Sequence, residues 1–423
     1  MKKWIVLLVA CSFAGFVSAA GAATYNVREL GAKADGTTDD TASFQKALDE
    51  AVKEPGSTVF APAGRYLIAG SINVGANSTL KGDYRGPGRQ RGTILMSTGG
   101  KGKADGPGCV TLFGGGSAVC NVAIEYPGQI ADAKEPIAYP YAISAGGDSR
   151  IEDVFLYNAY QGINLDGAHA NLVRNIWGEP LKVGINSDHN YDISRIENVH
   201  FWPYFTLNKP LRSWVQTNGV AFQFGRSDWQ SCTNTFSYGY HVGYRFYTSQ
   251  EVKKSGYPGG ATNGSFVGIG ADCVGIALDI EDSFSIGVSI TNGMFAPFGG
   301  ANSRGVLLHK GNTGNLTLVN CNFWAVTHQV AEVQGGSLNL TGCNIQEWGS
   351  VKKDEPCFSV SGGRLNVNGC TFNKSGLVAV VGGRQTRAIF NANMGVGDMT
   401  VRNSIGSSLA LGGNNPEWKP AKD

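Results

Sequence analysis

Three acids fall within four positions, Asp279, Glu281 and Asp282. On a strand, Asp279 and Glu281 stand at i and i+2 and share a face. Their backbone spacing of ~6.6 Å is compatible with the ~6.5–9.5 Å carboxyl separation of an inverting glycoside hydrolase. Close carboxylates repel, so the expectation is a protonated acid beside an ionised base, with Asp282 adding a third charge. Arg245 and Tyr247 precede this cluster and His309 follows it. A guanidinium, a phenol and an imidazole are groups that orient a sugar or stabilise developing charge. These six residues form the candidate catalytic set. Asp188, Gln223, Arg226, Asp228, Trp229 and His241 form the candidate substrate-binding set. The plainer alternatives are a solvated turn or a calcium site of oxygen ligands at Asp279–Asp282, and a hydrogen-bonded structural role for His241.

Residues so far apart in sequence meet only if the chain brings them back repeatedly, and the sequence repeats. An apolar–Asn/Asp–apolar unit recurs around Asp153, Asn175 and Asn198, at intervals of 22 and 23 residues, and around Asn320, Gly342 and Gly369, at 22 and 27. A second unit, a glycine followed by alternating apolar and polar residues, starts at Gly162, Gly184, Gly219, Gly243, Gly275 and Gly305. Each piece has strand length and closes on turn residues. Strands recurring at intervals of 22 to 35 residues predict an all-β, single-stranded parallel β-helix, each coil stacked on the last. Alignment on the glycines buries Ile163/Leu165, Val220/Phe222, Tyr244/Phe246, Ile276/Leu278 and Val306/Leu308. The outward stripe then reads Asn164/Asp166, Asn186/Asp188, Ala221/Gln223, Arg245/Tyr247, Ala277/Asp279 and Leu307/His309. At ~4.8 Å per rung, Asp188 and Asp279 lie roughly 14 Å apart, too far to flank one glycosidic bond.

Composition agrees. Of 423 residues 60 are glycine and only 16% are charged, which disfavours a helical protein, while 42% hydrophobic residues and a small net charge argue against disorder. Met1-Lys2-Lys3, an apolar run and small residues from Ser18 to Ala22 read as a signal peptide over residues 1–22, too short for a membrane anchor, and predict an exported protein. With Lys2 and Lys3 removed, the remaining Lys and Arg balance the 33 acids, so nucleic acid is not an expected partner. The local excess at Lys81, Arg85, Arg89, Arg91, Lys101 and Lys103 reads as a solvated loop rather than a clamp for an acidic sugar. Cys321, Cys343 and Cys370 occupy one repeat position and predict a stacked core ladder, and Cys109 and Cys120 are the candidate disulfide. Long intervals carrying His189, His200, Trp202, Tyr204, Arg212 and Trp214, and then Lys253, Lys254 and Tyr257, predict walls beside the stripe, with Trp202 assigned to the solenoid flank. Phe44, Ala47, Leu48 and Val52 share one face of a helix over residues 42–53, capped at Thr38 or Asp39, that would close the first coil. One domain spans 23–407, and 408–423 form a polar tail.

The stretch TYNVRELGAKADGTTDDTASFQKALDEA, followed by STVFAPAGRYLIAGSINV, resembles the opening of the pectate lyase superfamily, which includes polygalacturonases and rhamnogalacturonases. The resemblance is specific over residues 24–82. It implies a right-handed parallel β-helix acting on a polysaccharide, with fold alone not fixing the reaction. The polygalacturonase pattern does not transfer: Asn186-Ser187-Asp188 resembles its first element, but Ala271 stands where the second needs aspartate. Its G-H-G and R-I-K elements are absent. The expected function is glycoside hydrolysis by Asp279 and Glu281, which needs no cofactor. The alternatives are a polysaccharide lyase using Tyr247, Arg245 or His309 as base, with calcium on Asp279–Asp282, or a non-catalytic glycan-binding protein.

Overall fold

A computed structural model describes residues 21–86, 91–249, 262–352 and 354–421. The chain forms the expected right-handed parallel β-helix. One sheet holds 14 strands; another of 24 consists of two ladders joined through long strands. Those strands are Ala118–Glu125, Arg150–Leu156, Leu172–Gly178, Arg195–Phe201 and Ser227–Tyr238. Each bends at a corner residue of left-handed φ, Asn121 (57°), Asp153 (54°), Asn175 (58°), Asn198 (52°) and Asn234 (53°), and the last strand carries a second such residue at Trp229 (54°). Short polar side chains tolerate that conformation best after glycine. The corner amides also bond to one another. Asn175 Nδ2 donates to Asp153 Oδ1 (3.0 Å), Asn198 Nδ2 to Asn175 Oδ1 (2.7 Å) and Asn234 Nδ2 to Asn198 Oδ1 (3.1 Å). The apolar–Asn–apolar repeat is thus a corner, and its ladder fixes the register of the coils.

Like side chains stack inside. Phe222 and Tyr244 lie face to face with centroids 4.8 Å apart, and Phe224 stacks on Phe246 at 5.4 Å. Cys321, Cys343 and Cys370 are buried as expected. Cys109 and Cys120 are free thiols, not a disulfide, and burial pushes the Cys109 thiol up to about 12.

The capping helix spans Thr41–Ala51 and buries Phe44, Ala47, Leu48 and Ala51. Phe44 packs edge-on against Tyr66 at 5.1 Å. Val52, expected on that face, is 43% exposed, because the helix ends before it. Asp40 occupies the N-cap, but its carboxylate accepts the N–H groups of Lys33 (2.6 Å) and Ala34 (3.0 Å), while Asp39 Oδ1 takes the Thr41 N–H (3.1 Å). The expected tail also changes: Leu409–Gly412 pairs in parallel with Arg387–Asn391, and Trp418 is buried against Phe372 and Phe390. Coil stacking therefore continues beyond Ser407. Of the expected leader only Gly21 and Ala22 lie within the described residues, and Arg89, Lys253, Lys254 and Tyr257 lie outside them. Among the described residues no helix is long and apolar enough to cross a membrane.

Candidate active site

The 14-stranded sheet positions the site. Strands Gln161–Asp166, Val183–Asp188, Val220–Phe224, Val242–Phe246, Ile276–Ile280 and Arg304–Leu308 are successive rungs. Their register places Asn164, Asn186, Gln223, Arg245, Asp279 and Leu307 in one row. Asp166 pairs with Asp188 in the next outward row, which continues through Gly225, Tyr247, Glu281 and His309. Alignment on glycines misplaced two rungs, since Ala221 lies against Gly184 and Ala277 against Gly243. Both errors are two residues long, so every side chain keeps its face. Only the neighbours change: Glu281, rather than Asp279, adjoins Tyr247.

Gly225 decides what Tyr247 can reach. A Cβ there would sit 2.3 Å from Asp188 Cγ and Oδ1. The empty position lets the Asp188 carboxylate lie across that rung and meet Tyr247, whose hydroxyl donates to Asp188 Oδ2 (3.0 Å) and approaches Asn186 Oδ1 (3.1 Å). Asp188 Oδ1 accepts the N–H groups of Arg226 (2.7 Å) and His189 (2.8 Å). Asn186 is held in turn, donating to Asn164 Oδ1 (2.8 Å) and accepting from Gln223 Nε2 (2.9 Å). Burial, reinforced by the Asp188 charge, raises the Tyr247 phenol well above its ordinary value. Tyr247 therefore enters as a proton donor.

The acids beyond it are individually partnered. Arg245 Nε donates to Glu281 Oε1 (2.8 Å), a second guanidinium nitrogen contacts the same oxygen, and the guanidinium lies 5.5 Å from the Tyr247 ring centroid. His309 Nε2 meets Asp279 Oδ1 at 2.6 Å, and that hydrogen bond raises the imidazole pKa. Asp282 Oδ2 accepts from Thr248 Oγ1 (3.1 Å) and its Oδ1 from the Ser283 N–H (3.0 Å). Mutual repulsion among three bare carboxylates, expected from their spacing, is thus relieved by separate partners. Among the described residues the group of three whose ligand atoms lie within 4.8 Å of one another is Asp166, Asp188 and His189. His189 Nδ1 is 2.5 Å from Asp166 Oδ1, so a cation there would have to part these two. Asp166, Asn186, His189 and Gly225 are the site residues missing from the candidate sets. The Asn164/Asn186 repetition was the available signal for the amide ladder, whereas Gly225 has no side chain to flag it.

Four candidates fall elsewhere. His241 immediately precedes the Val242–Phe246 strand, with Tyr247 just past its other end, and His241 lines a separate cavity with Gln216 and Arg304. The buried Arg226 side chain pairs with Asp228 (2.9 Å) and lies over Phe284, and its backbone N–H donates to Asp188. Asp228 also accepts from Asn263 Nδ2 (2.6 Å), and Trp229, 72% exposed, lines a cavity on the larger sheet. Trp202 and Tyr204 pack with Tyr238 and Phe155 against the flank, as assigned for Trp202. The expected wall does include a short helix, Leu211–Asn218, whose Trp214 lies 5.5 Å from Lys182 Nζ.

The loop before that helix hangs on Glu179. This fully buried carboxylate accepts the N–H groups of Phe205 (2.6 Å) and Thr206 (2.9 Å), and the Thr206 hydroxyl. Burial pushes its pKa from 4.5 up to about 7. The unfolded chain releases this proton near 4.5 while the folded chain holds it to about 7. The stabilisation is therefore complete below the lower value and lost as pH rises through the upper one, a change of about 3 kcal/mol. Glu179→Gln is expected to flatten that dependence, measured as urea midpoints on either side of the window.

Residues 24–105 match the family model described as rhamnogalacturonase A/epimerase, pectate lyase-like. The opening of the chain is pectate lyase-like. Alginate lyase 7 of Azotobacter vinelandii is 52% identical over 46 residues, 11% of this chain and 5% of that protein. Mannuronan C5-epimerase AlgE5 of the same organism is 50% identical over 46 residues, again 11% and 5%. The chain thus spans only a small fraction of these relatives' length. The N-terminal fragment of bacteriophage Phi29 gene product 12 superposes with a TM-score of 0.51 at 14% identity, over 93% of this chain and 71% of that one. At that identity the likeness shows the shared fold alone.

Proposed function

We propose that this pectate lyase-like protein is an exported enzyme that acts on a uronate-containing polysaccharide by moving the proton beside the sugar carboxylate. The observation that carries the reading is the pair of adjacent rows that bring together Asp188, Tyr247, the Arg245–Glu281 pair and the Asp279–His309 pair, in which proton-transfer groups flank a guanidinium. Arg245, with 36% of its side chain exposed, binds the uronate carboxylate and stabilises the negative charge that develops when the adjacent proton leaves. Asp279 engages His309 Nε2 and so orients the ring to present Nδ1 as the base. Tyr247, kept protonated by burial, delivers a proton to the leaving glycosidic oxygen, giving β-elimination. Delivery to the opposite face of the same carbon gives epimerisation instead. Asp188 holds the phenol in place, and Glu281 holds Arg245.

This assignment makes Asp279 and Glu281 positioning residues rather than a hydrolytic pair, because each is engaged by its own basic partner. The short matches to an alginate lyase and a mannuronan C5-epimerase support the substrate class. The leader over residues 1–22 supports export. The test is incubation with polymannuronate, polyguluronate and polygalacturonate. Elimination gives an ultraviolet-absorbing unsaturated product, and epimerisation changes the uronate composition without cleavage. Either activity is expected to rise with pH as His309 loses its proton. New reducing ends without unsaturation would instead establish a hydrolase, and binding without turnover a glycan-binding protein.

A further inference from the structure

One rung beyond His309 the surface opens into a cavity of ≈ 740 Å³ bordered by Lys310, Gln334, Ser361, Arg364, Arg384 and Arg387, with no acid in its lining. Its floor is backbone. A Cβ on Gly362 would lie 2.3 Å from Gln334 O, and one on Gly363 2.5 Å from Gly336 O, so side chains are excluded there. Arg364 pairs directly with Arg387 in the parallel ladder, placing two guanidinium-bearing residues on rungs ~4.8 Å apart. Like charges directly opposite each other are destabilising. Among the described residues no ion pair is made by Lys310, Arg364, Arg384 or Arg387; Arg364 Nε donates to the neutral Ser337 Oγ at 2.8 Å. Four exposed cations without a counter-charge around a cavity form an anion site in search of its anion.

We propose that this cavity is a subsite that binds carboxylates of the glycan chain beyond the sugar undergoing reaction. The assignment rests on the uronate reading above and deepens it: the enzyme recognises a run of acidic sugars, not a single one. Lys310 follows His309 directly, and Gln334 follows the rung strand Ala331–Val333 that pairs with Arg304–Leu308. A chain leaving the catalytic rung along the solenoid therefore reaches Gln334 at the edge of the cavity, with Arg364 and Arg387 across the corner at the start of strands in the larger sheet. No aromatic residue lines the cavity, so the base stacking that holds single-stranded nucleic acid has no platform.

The test compares binding of mannuronate decamers and trimers by calorimetry in a Tyr247→Phe background, with and without Arg364→Gln/Arg387→Gln. The decamer is expected to bind about tenfold more weakly to the arginine variant, with a shallower salt dependence and little change for the trimer. The melting temperature should hold or rise as repulsion is removed. Should the double variant fail to fold, Arg384→Gln in the adjoining turn provides the same readout. Unchanged decamer affinity would overturn the subsite, as would equally tight, arginine-dependent binding of single-stranded DNA. Arginine-dependent decamer binding by wild-type protein without turnover would overturn the uronate chemistry and leave the subsite standing. Turnover with arginine-independent binding would do the reverse.

Discussion

Tyr247→Phe is expected to lower kcat on a polyuronate about a thousandfold, within the range of a lost general acid, while leaving KM nearly unchanged. The substitution removes one oxygen and retains the ring beside Arg245. It also withdraws the donor from Asp188 Oδ2, a buried acceptor, at a stability cost of about 1–2 kcal/mol. The two effects separate in measurement, because a loss of that size barely populates the unfolded state of a stable domain whereas the kinetic loss appears in every turnover. Steady-state kinetics together with urea unfolding check both. Rates within a few-fold of wild type would remove Tyr247 from the chemistry.

Gly225→Ala should lower kcat by about two orders of magnitude although it alters no group that touches the sugar. Gly225 does not have the left-handed φ that makes many substitutions of glycine strained, so the backbone accepts alanine. What it does not accept is the new methyl, 2.3 Å from Asp188 Cγ. The carboxylate must swing away, breaking its bonds to Tyr247 and to the Arg226 N–H. Overpacking of this kind costs about 1–3 kcal/mol. If the effect runs through Asp188, adding Gly225→Ala to an Asp188→Asn variant should reduce kcat far less than adding it to wild type, a non-additivity that a double-mutant cycle reads directly. Equal factors in both backgrounds would show that Gly225 acts elsewhere.

Much of this architecture is legible before any coordinates. Period-two alternation places a side chain on the correct face even when its rung is misaligned, which is why the stripe survived two-residue errors at the Gly219 and Gly275 coils. The corner residues Asp153, Asn175 and Asn198 were visible for the same reason that they work: left-handed backbone selects a narrow set of residue types. Lateral neighbours are harder. The intervals of 35 and 32 residues hide how much chain is wall and how much is rung, so Arg245 and His309, expected to attend the sugar from neighbouring coils, were not read as the direct partners of Glu281 and Asp279. Their partners Arg245 and His309 came from separate coils. The Asp188–Tyr247 contact was hidden most deeply, since it depends on the absence of a side chain at Gly225. Trp418 was misjudged because one buried ring within a polar stretch has no periodicity to announce it.

The most direct trial of the proton-transfer mechanism follows solvent deuterium into the sugar. Wild-type protein and the Asp279→Asn variant are incubated with polymannuronate in heavy water, and the products are analysed by mass and NMR. The mechanism predicts deuterium at C5 in epimerised residues, or C4–C5 unsaturation in eliminated ones, with either outcome strongly reduced once His309 loses its orienting carboxylate. Cleaved chains with saturated ends and unlabelled C5 would contradict it.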